Sequence, residues 1–142
     1  MTISFILPYL GDSQERMTGL MRCLVSIEML YLTPFFTGKE IWKKKDNPRI
    51  GVPKRVKEGV NETSGEWIVY ASNDVEFDVH AIVNAMRARK NERLLAFNTG
   101  PLLPDKGNIC AHFMIHRSLI QEIGGEIFDT EFNHVGVDNL LW

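Results

Sequence analysis

The chain has 142 residues, of which 44% are hydrophobic and 24% charged, and its formal net charge is −2 at pH 7. A chain of this length can bury one hydrophobic core, so we expect a single domain over residues 1–142. The charge balance argues against a nucleic-acid-binding protein, which is usually clearly basic. No apolar run approaches the about 20 residues of a membrane span, so no transmembrane segment is predicted.

The cysteine pattern indicates a reducing compartment. Cys23 and Cys110 are too few and too far apart for a disulfide framework or a paired-cysteine metal site. Apolar residues flank both, which is typical of buried thiols. The N-terminus also lacks the positive flank and cleavage site of a signal peptide. We therefore expect a cytoplasmic protein.

Short apolar runs, typical of buried strands, alternate with segments whose apolar residues recur at helical spacing. Asp12 or Ser13 is the candidate N-cap of the first helix, and Asp78 that of the third. This alternation predicts an α/β fold with a mostly parallel sheet and helices on both faces. The predicted strands are Ile3–Leu7, Lys39–Trp42, Glu66–Ala71, Leu94–Phe97 and Ile109–Ile115, and the helices lie around Met17–Ile27, Pro53–Val60, Val79–Met86 and Arg117–Ile123.

In such sheets, ligands bind beyond the carboxyl ends of the strands, which directs attention to residues 8–10 and 72–76. Asp74 and Glu76 are two carboxylates just after a predicted central strand. Their oxygens suit Mg²⁺ or Mn²⁺, and such an ion can bridge the oxygens of a diphosphate. The alternative interpretation is a polar turn before the helix that Asp78 caps, and on spacing alone this turn is favoured at least as strongly as the metal site.

Three blocks of sequence, in order, resemble the GT-A-fold glycosyltransferases of family 2. Residues 59–76 are similar to the family's centre, where a helix ends in Gly-Glu, a hydrophobic strand follows and an acidic D-x-D-type motif closes it. Residues 117–138 are similar to its R…IGG-FDE-F…G-ED segment, through Ile123-Gly124-Gly125 and Phe128-Asp129-Thr130-Glu131-Phe132. Ile3–Leu10 resembles its first strand, whose end touches the donor nucleotide.

The resemblance implies a Rossmann-like GT-A fold. It implies an inverting transferase that moves a sugar from a nucleotide-diphosphate donor to a saccharide or other hydroxyl acceptor, with Mn²⁺ or Mg²⁺. It assigns the metal to Asp74, with Glu76 as a candidate second ligand, and the general-base role to Asp138. The donor-binding residues that it implies are Pro8, Tyr9, Leu10, Arg55, Lys57, Asn73 and Asp74.

The sequence also departs from the family's pattern. Ser72 replaces the first aspartate of the acidic motif, and Val137 replaces a glutamate. The base-gripping segment after the second strand is not recognisable between Lys39 and Arg49. We expect the chain, which stops at Trp142, to lack the usual acceptor region.

These departures leave alternatives open. One is a non-catalytic module or partner subunit that binds a nucleotide sugar with only the donor half of the fold. A nucleotidyltransferase is less favoured, because a glycine-rich phosphate loop is missing near the first strand. Apolar surface near the chain's end leaves self-association open. His112, His116 and His134 are interpreted as structural or surface residues.

Overall fold

A computed structural model describes residues 1–97 and 112–128. The described part forms one five-stranded sheet in the order β2-β1-β3-β5-β4. The first strand pairs in parallel with the second and the third, and the fifth runs antiparallel to the third and fourth. The elements are β1 Thr2–Tyr9, α1 Gln14–Glu28, β2 Gly38–Lys45, α2 Val52–Glu62, β3 Trp67–Tyr70, α3 Ala81–Ala88, β4 Leu94–Ala96, β5 Phe113–His116 and α4 Arg117–Glu122.

Helices cover both faces of the sheet, which confirms the predicted α/β architecture. Side chains of β1 point alternately to the two faces, so that Phe5 joins one hydrophobic cluster and Ile6 the other. Helices α1 and α3 pack on the first face, and α2 and α4 on the second. Each large side chain that becomes fully buried in this way contributes about 1.5–3 kcal/mol. No helix within the described residues is long and apolar enough to cross a membrane.

Two local predictions are corrected. The predicted strand at Lys39–Trp42 extends through the lysine run to Lys45, where its residues pair with the last residues of β1. Lysines suit an edge strand, since they disfavour pairing with another chain. Ser13 is the N-cap of α1, as predicted, but α3 begins at Ala81 and Asp78 instead stabilises the preceding turn. Residues 109–111 of the last predicted strand lie outside the described residues.

The carboxylate of Glu40 ties β2 to β1 and to the turn before β3. Its oxygens accept hydrogen bonds from the Ser4 hydroxyl at 2.5 Å, the Ser64 hydroxyl at 2.7 Å, and the backbone amides of Ser64 and Gly65 at 2.9 and 3.1 Å. These bonds, led by the one from Ser4, lower the pKa of Glu40 to about 2. A Cβ atom on Gly65 would clash with Ser4 Oγ and would lie 2.8 Å from the Ser4 backbone nitrogen, so this close approach requires glycine.

Replacing Glu40 with glutamine should destabilise the fold by about 1–3 kcal/mol at neutral pH, because donors lose a charged acceptor. The pKa of Glu40 is depressed on folding, so its contribution is complete above pH 4.5 and is lost as the pH falls toward about 2. Urea unfolding across this range should show the stability gap between wild type and Glu40→Gln closing with acidification. A gap that is absent at neutral pH or independent of pH would contradict this role.

Candidate functional site

A cleft of about 1080 Å³ lies at the edge of the sheet where β1, β2 and β3 end. Because these three strands are parallel, the residues that follow them meet at this edge. The structure brings the predicted donor-binding residues at the ends of β1 and β3 together in this cleft. The lining residues are Pro8, Tyr9, Leu10, Ser13, Glu15, Arg16, Gly19, Asp46, Arg49, Ile50, Gly51, Val52, Tyr70, Ser72, Asn73 and Asp74.

The acidic turn after β3 is held against the first turns of α1. The Asn73 side-chain amide donates to the backbone carbonyl of Arg16 at 3.2 Å. A Cβ atom on Gly19 would lie 2.9 Å from the Asn73 carbonyl oxygen, so only glycine lets the helix pack this closely. These contacts fix the backbone that carries Asp74 at the cleft.

Asp74 belongs to a small polar cluster that the sequence analysis did not identify. The Ser72 hydroxyl donates to Asp74 Oδ1, and His112 Nε2 lies 3.0 Å from the same hydroxyl oxygen. Burial lowers the pKa of His112, while the charge of Asp74 opposes that shift. His112 reaches this edge because it precedes β5, whose first residue pairs with Tyr70 at the end of β3.

Asp46 is a second cleft residue that sequence analysis missed, and it organises the wall after β2. Its carboxylate accepts from the Ile50 and Gly51 amides at 2.9 and 3.1 Å and from Arg55 Nε at 2.9 Å. Burial raises the pKa of Asp46, but these hydrogen bonds outweigh it and the net shift is downward. The sequence pattern did not predict that β2 continues through the lysine run to Lys45. It therefore did not identify Asp46 as an acid that directly follows a strand.

Three predicted site residues lie away from the cleft lining. Arg55 is only 4% exposed, and its guanidinium binds Asp46, Glu58 and the Pro48 carbonyl. Lys57 Nζ pairs with Glu126 at 2.6 Å.

Glu76 instead lines a second cleft of about 450 Å³ beside the outer face of α1. The arginines that do line the main cleft are Arg16 and Arg49.

The carboxylates available for a metal are few in the part of the chain described. Within residues 1–97 and 112–128, no three His, Cys, Asp or Glu side chains converge as a metal-binding group. Mg²⁺ commonly takes only one or two protein carboxylates and completes its shell with water and substrate phosphates. Asp74 at the cleft therefore fits an ion that arrives with a diphosphate. The predicted base, Asp138, lies outside the described residues.

Solved structures share this architecture, although no family model and no curated protein matches the sequence. The mannosyltransferase PcManGT from Pyrobaculum calidifontis, solved with GDP-Man and Mn²⁺, matches 96% of this chain and 49% of its own, with TM-score 0.69 and 14% identity. Residues 1–349 of S. aureus TarS match 99% of this chain and 54% of their own, with TM-score 0.70 and 12% identity. The chain thus spans about half the length of each. At these identities the likeness shows the fold, a Rossmann-like α/β fold of the GT-A type.

Arg55→Ala should destabilise the protein by about 3–5 kcal/mol, because it leaves Asp46 as a buried carboxylate without its cation. Lys57→Ala, on the same helix but in an exposed pair, should cost at most about 1 kcal/mol. Chemical denaturation of the two variants checks this contrast. An Arg55→Ala variant that keeps full stability but loses nucleotide binding would contradict this structural role. It would support the donor-binding role that the sequence resemblance implies for Arg55.

Proposed function

We propose that this chain is a metal-dependent, inverting glycosyltransferase domain with its donor site in the cleft. It takes a sugar from a nucleotide-diphosphate donor to a saccharide or other hydroxyl acceptor. The observation that carries the proposal is that Asp74 lines the cleft at the strand ends, together with Tyr9 and two arginines. The shared fold with a mannosyltransferase solved with GDP-Man and Mn²⁺ supports it. Family 2 membership and the cytoplasmic location are part of this proposal.

The cleft walls match the parts of such a donor. Pro8, Tyr9 and Leu10 present apolar and aromatic surface to the nucleotide base. Arg49, together with Arg16, whose Nε also pairs with exposed Asp12 at 3.3 Å, supplies positive charge for the phosphates, since planar guanidinium groups suit phosphate oxygens. Asp46 does not cancel this charge, because buried Arg55 already pairs with it.

Asp74 is the proposed ligand for Mn²⁺ or Mg²⁺. Its Oδ1 accepts the Ser72 hydroxyl, while among the described residues Oδ2 accepts no hydrogen bond and is left for the ion. The ion, when bound, supplies charge neutralisation to the departing diphosphate. Asp138 is the proposed base that accepts the proton of the attacking hydroxyl, in the position that the sequence resemblance gives it.

Asp74→Asn should weaken Mn²⁺-dependent donor binding by at least about tenfold, since even indirect partners of a metal contribute that much. Glu76→Gln is the matched comparison, because it removes a carboxylate that lines the other cleft. Calorimetric titration with GDP- and UDP-sugars, with and without Mn²⁺, measures both. Equal heats of Mn²⁺-dependent donor binding for wild type and Asp74→Asn would contradict the proposal. Weaker Mn²⁺-dependent donor binding in Glu76→Gln would support Glu76 as a second metal ligand.

Asp138→Asn should leave donor binding intact and lower the rate of transfer by about 10²–10⁴, the usual contribution of a general base. A radiolabelled-sugar transfer assay, with donor titration beside it, separates the two effects. Full turnover in Asp138→Asn would contradict the base assignment. A wild-type chain that binds donor but neither transfers nor hydrolyses it would favour the non-catalytic module.

A further inference from the structure

Ser72 lies between an acid and an imidazole at the rim of the cleft. Its Oγ contacts Asp74 Oδ1 on one side and His112 Nε2 on the other, the latter at 3.0 Å. An ionised carboxylate only accepts hydrogen bonds, and a serine hydroxyl carries a single hydrogen. The Ser72 hydroxyl hydrogen therefore forms the hydrogen bond to Asp74. Towards His112, Ser72 Oγ can then act only as an acceptor.

This arrangement determines which ring nitrogen of His112 carries a hydrogen. Nε2 must carry a hydrogen in order to donate to Ser72 Oγ. Nδ1 is buried and has no hydrogen-bond partner among the described residues. In a neutral ring Nδ1 is therefore the nitrogen without a hydrogen, because a buried N–H there would have no acceptor. Burial also disfavours the charged ring, in line with the lowered pKa of His112. The hydrogen-bond geometry therefore places a hydrogen on Nε2.

We infer that His112 is a positioning residue for the metal-binding carboxylate: Nε2–H donates to Ser72, and Ser72 donates to Asp74 Oδ1. This chain of two directed hydrogen bonds holds the carboxylate in one rotation and leaves Oδ2 without a hydrogen-bond donor among the described residues. The inference rests on the proposed function, because the oriented oxygen is the one proposed to hold the ion.

The direction of the chain gives Ser72 a specific reason to be serine. An aspartate at this position would accept from His112 but would repel Asp74 and could not donate to it while ionised. A hydroxyl does both at once. The hydrogen bond from His112 restricts rotation about the Cβ–Oγ bond of Ser72. The hydroxyl hydrogen therefore stays directed at Asp74.

The tautomer is measured directly by long-range ¹H–¹⁵N NMR of the whole, metal-free chain near neutral pH. The chain has four histidines, and the spectrum of His112→Gln assigns the signal by its loss. The expected pattern for His112 is a protonated Nε2 and a bare, pyridine-type Nδ1. A bare, pyridine-type Nε2 at His112 would overturn the inference, whatever the protein's activity.

The positioning role is measured by Mn²⁺ binding in the presence of GDP, followed by electron paramagnetic resonance. Ser72→Ala and His112→Leu should weaken Mn²⁺ about 10-fold to 100-fold, the range found for residues that orient metal ligands. His112→Gln should stay near wild type, because its amide can donate from the place of Nε2. Ser72→Ala keeps the test valid if His112→Leu fails to fold.

Ser118→Ala is the matched control, since Ser118 Oγ lies 2.8 Å from Nδ1 of His116, the histidine at the opposite end of β5 from His112. It should leave Mn²⁺ affinity unchanged. Wild-type affinity in Ser72→Ala would overturn the positioning role alone. Absence of Mn²⁺ binding by the wild-type chain would overturn the proposed function and the positioning role together, while the tautomer spectrum still reports the hydrogen-bond direction.

Discussion

Backbone hydrogen bonds join β1 to β2 on one side and to β3 on the other, and all three strands run in the same direction. This parallel pairing brings Leu10, Asp46 and Ser72, which are far apart in sequence, around one cleft. The antiparallel β5 brings His112 to the same edge from the opposite direction. A shift of one residue in any of these pairings would turn the side chains to the other face and dismantle the cluster around Asp74.

Acidic residues near this framework differ in how many donors surround them. Glu40 accepts four hydrogen bonds and Asp46 three, so both are stabilised as anions and have their oxygens occupied. Such carboxylates fasten strands and loops. Asp74 accepts one hydrogen bond, from Ser72, within the described residues and lines the cleft. The number of local donors therefore separates a structural acid from one that is available to a ligand.

Local patterns in the sequence predicted the fold and the position of part of the candidate site. The apolar runs predicted the sheet, and the strand-end rule predicted Tyr9 and Asp74 at its edge. Sequence spacing did not reveal the end of β2, because an edge strand tolerates lysines where a central strand would not. It also could not reveal His112, whose place depends on antiparallel pairing with a distant strand, nor the burial of Arg55, which depends on Asp46 across the loop.

We propose that a metal ion and a diphosphate bind together where β1, β2 and β3 end. Paramagnetic broadening of backbone amide signals by Mn²⁺ in the presence of GDP locates the ion on the chain without requiring turnover. The expected result is broadening concentrated at residues 8–10, 46–51 and 72–74, with the Glu40 region unaffected. Broadening centred on Glu76 and the outer face of α1, or no broadening at any concentration of Mn²⁺ and GDP that the protein tolerates, would contradict the claim.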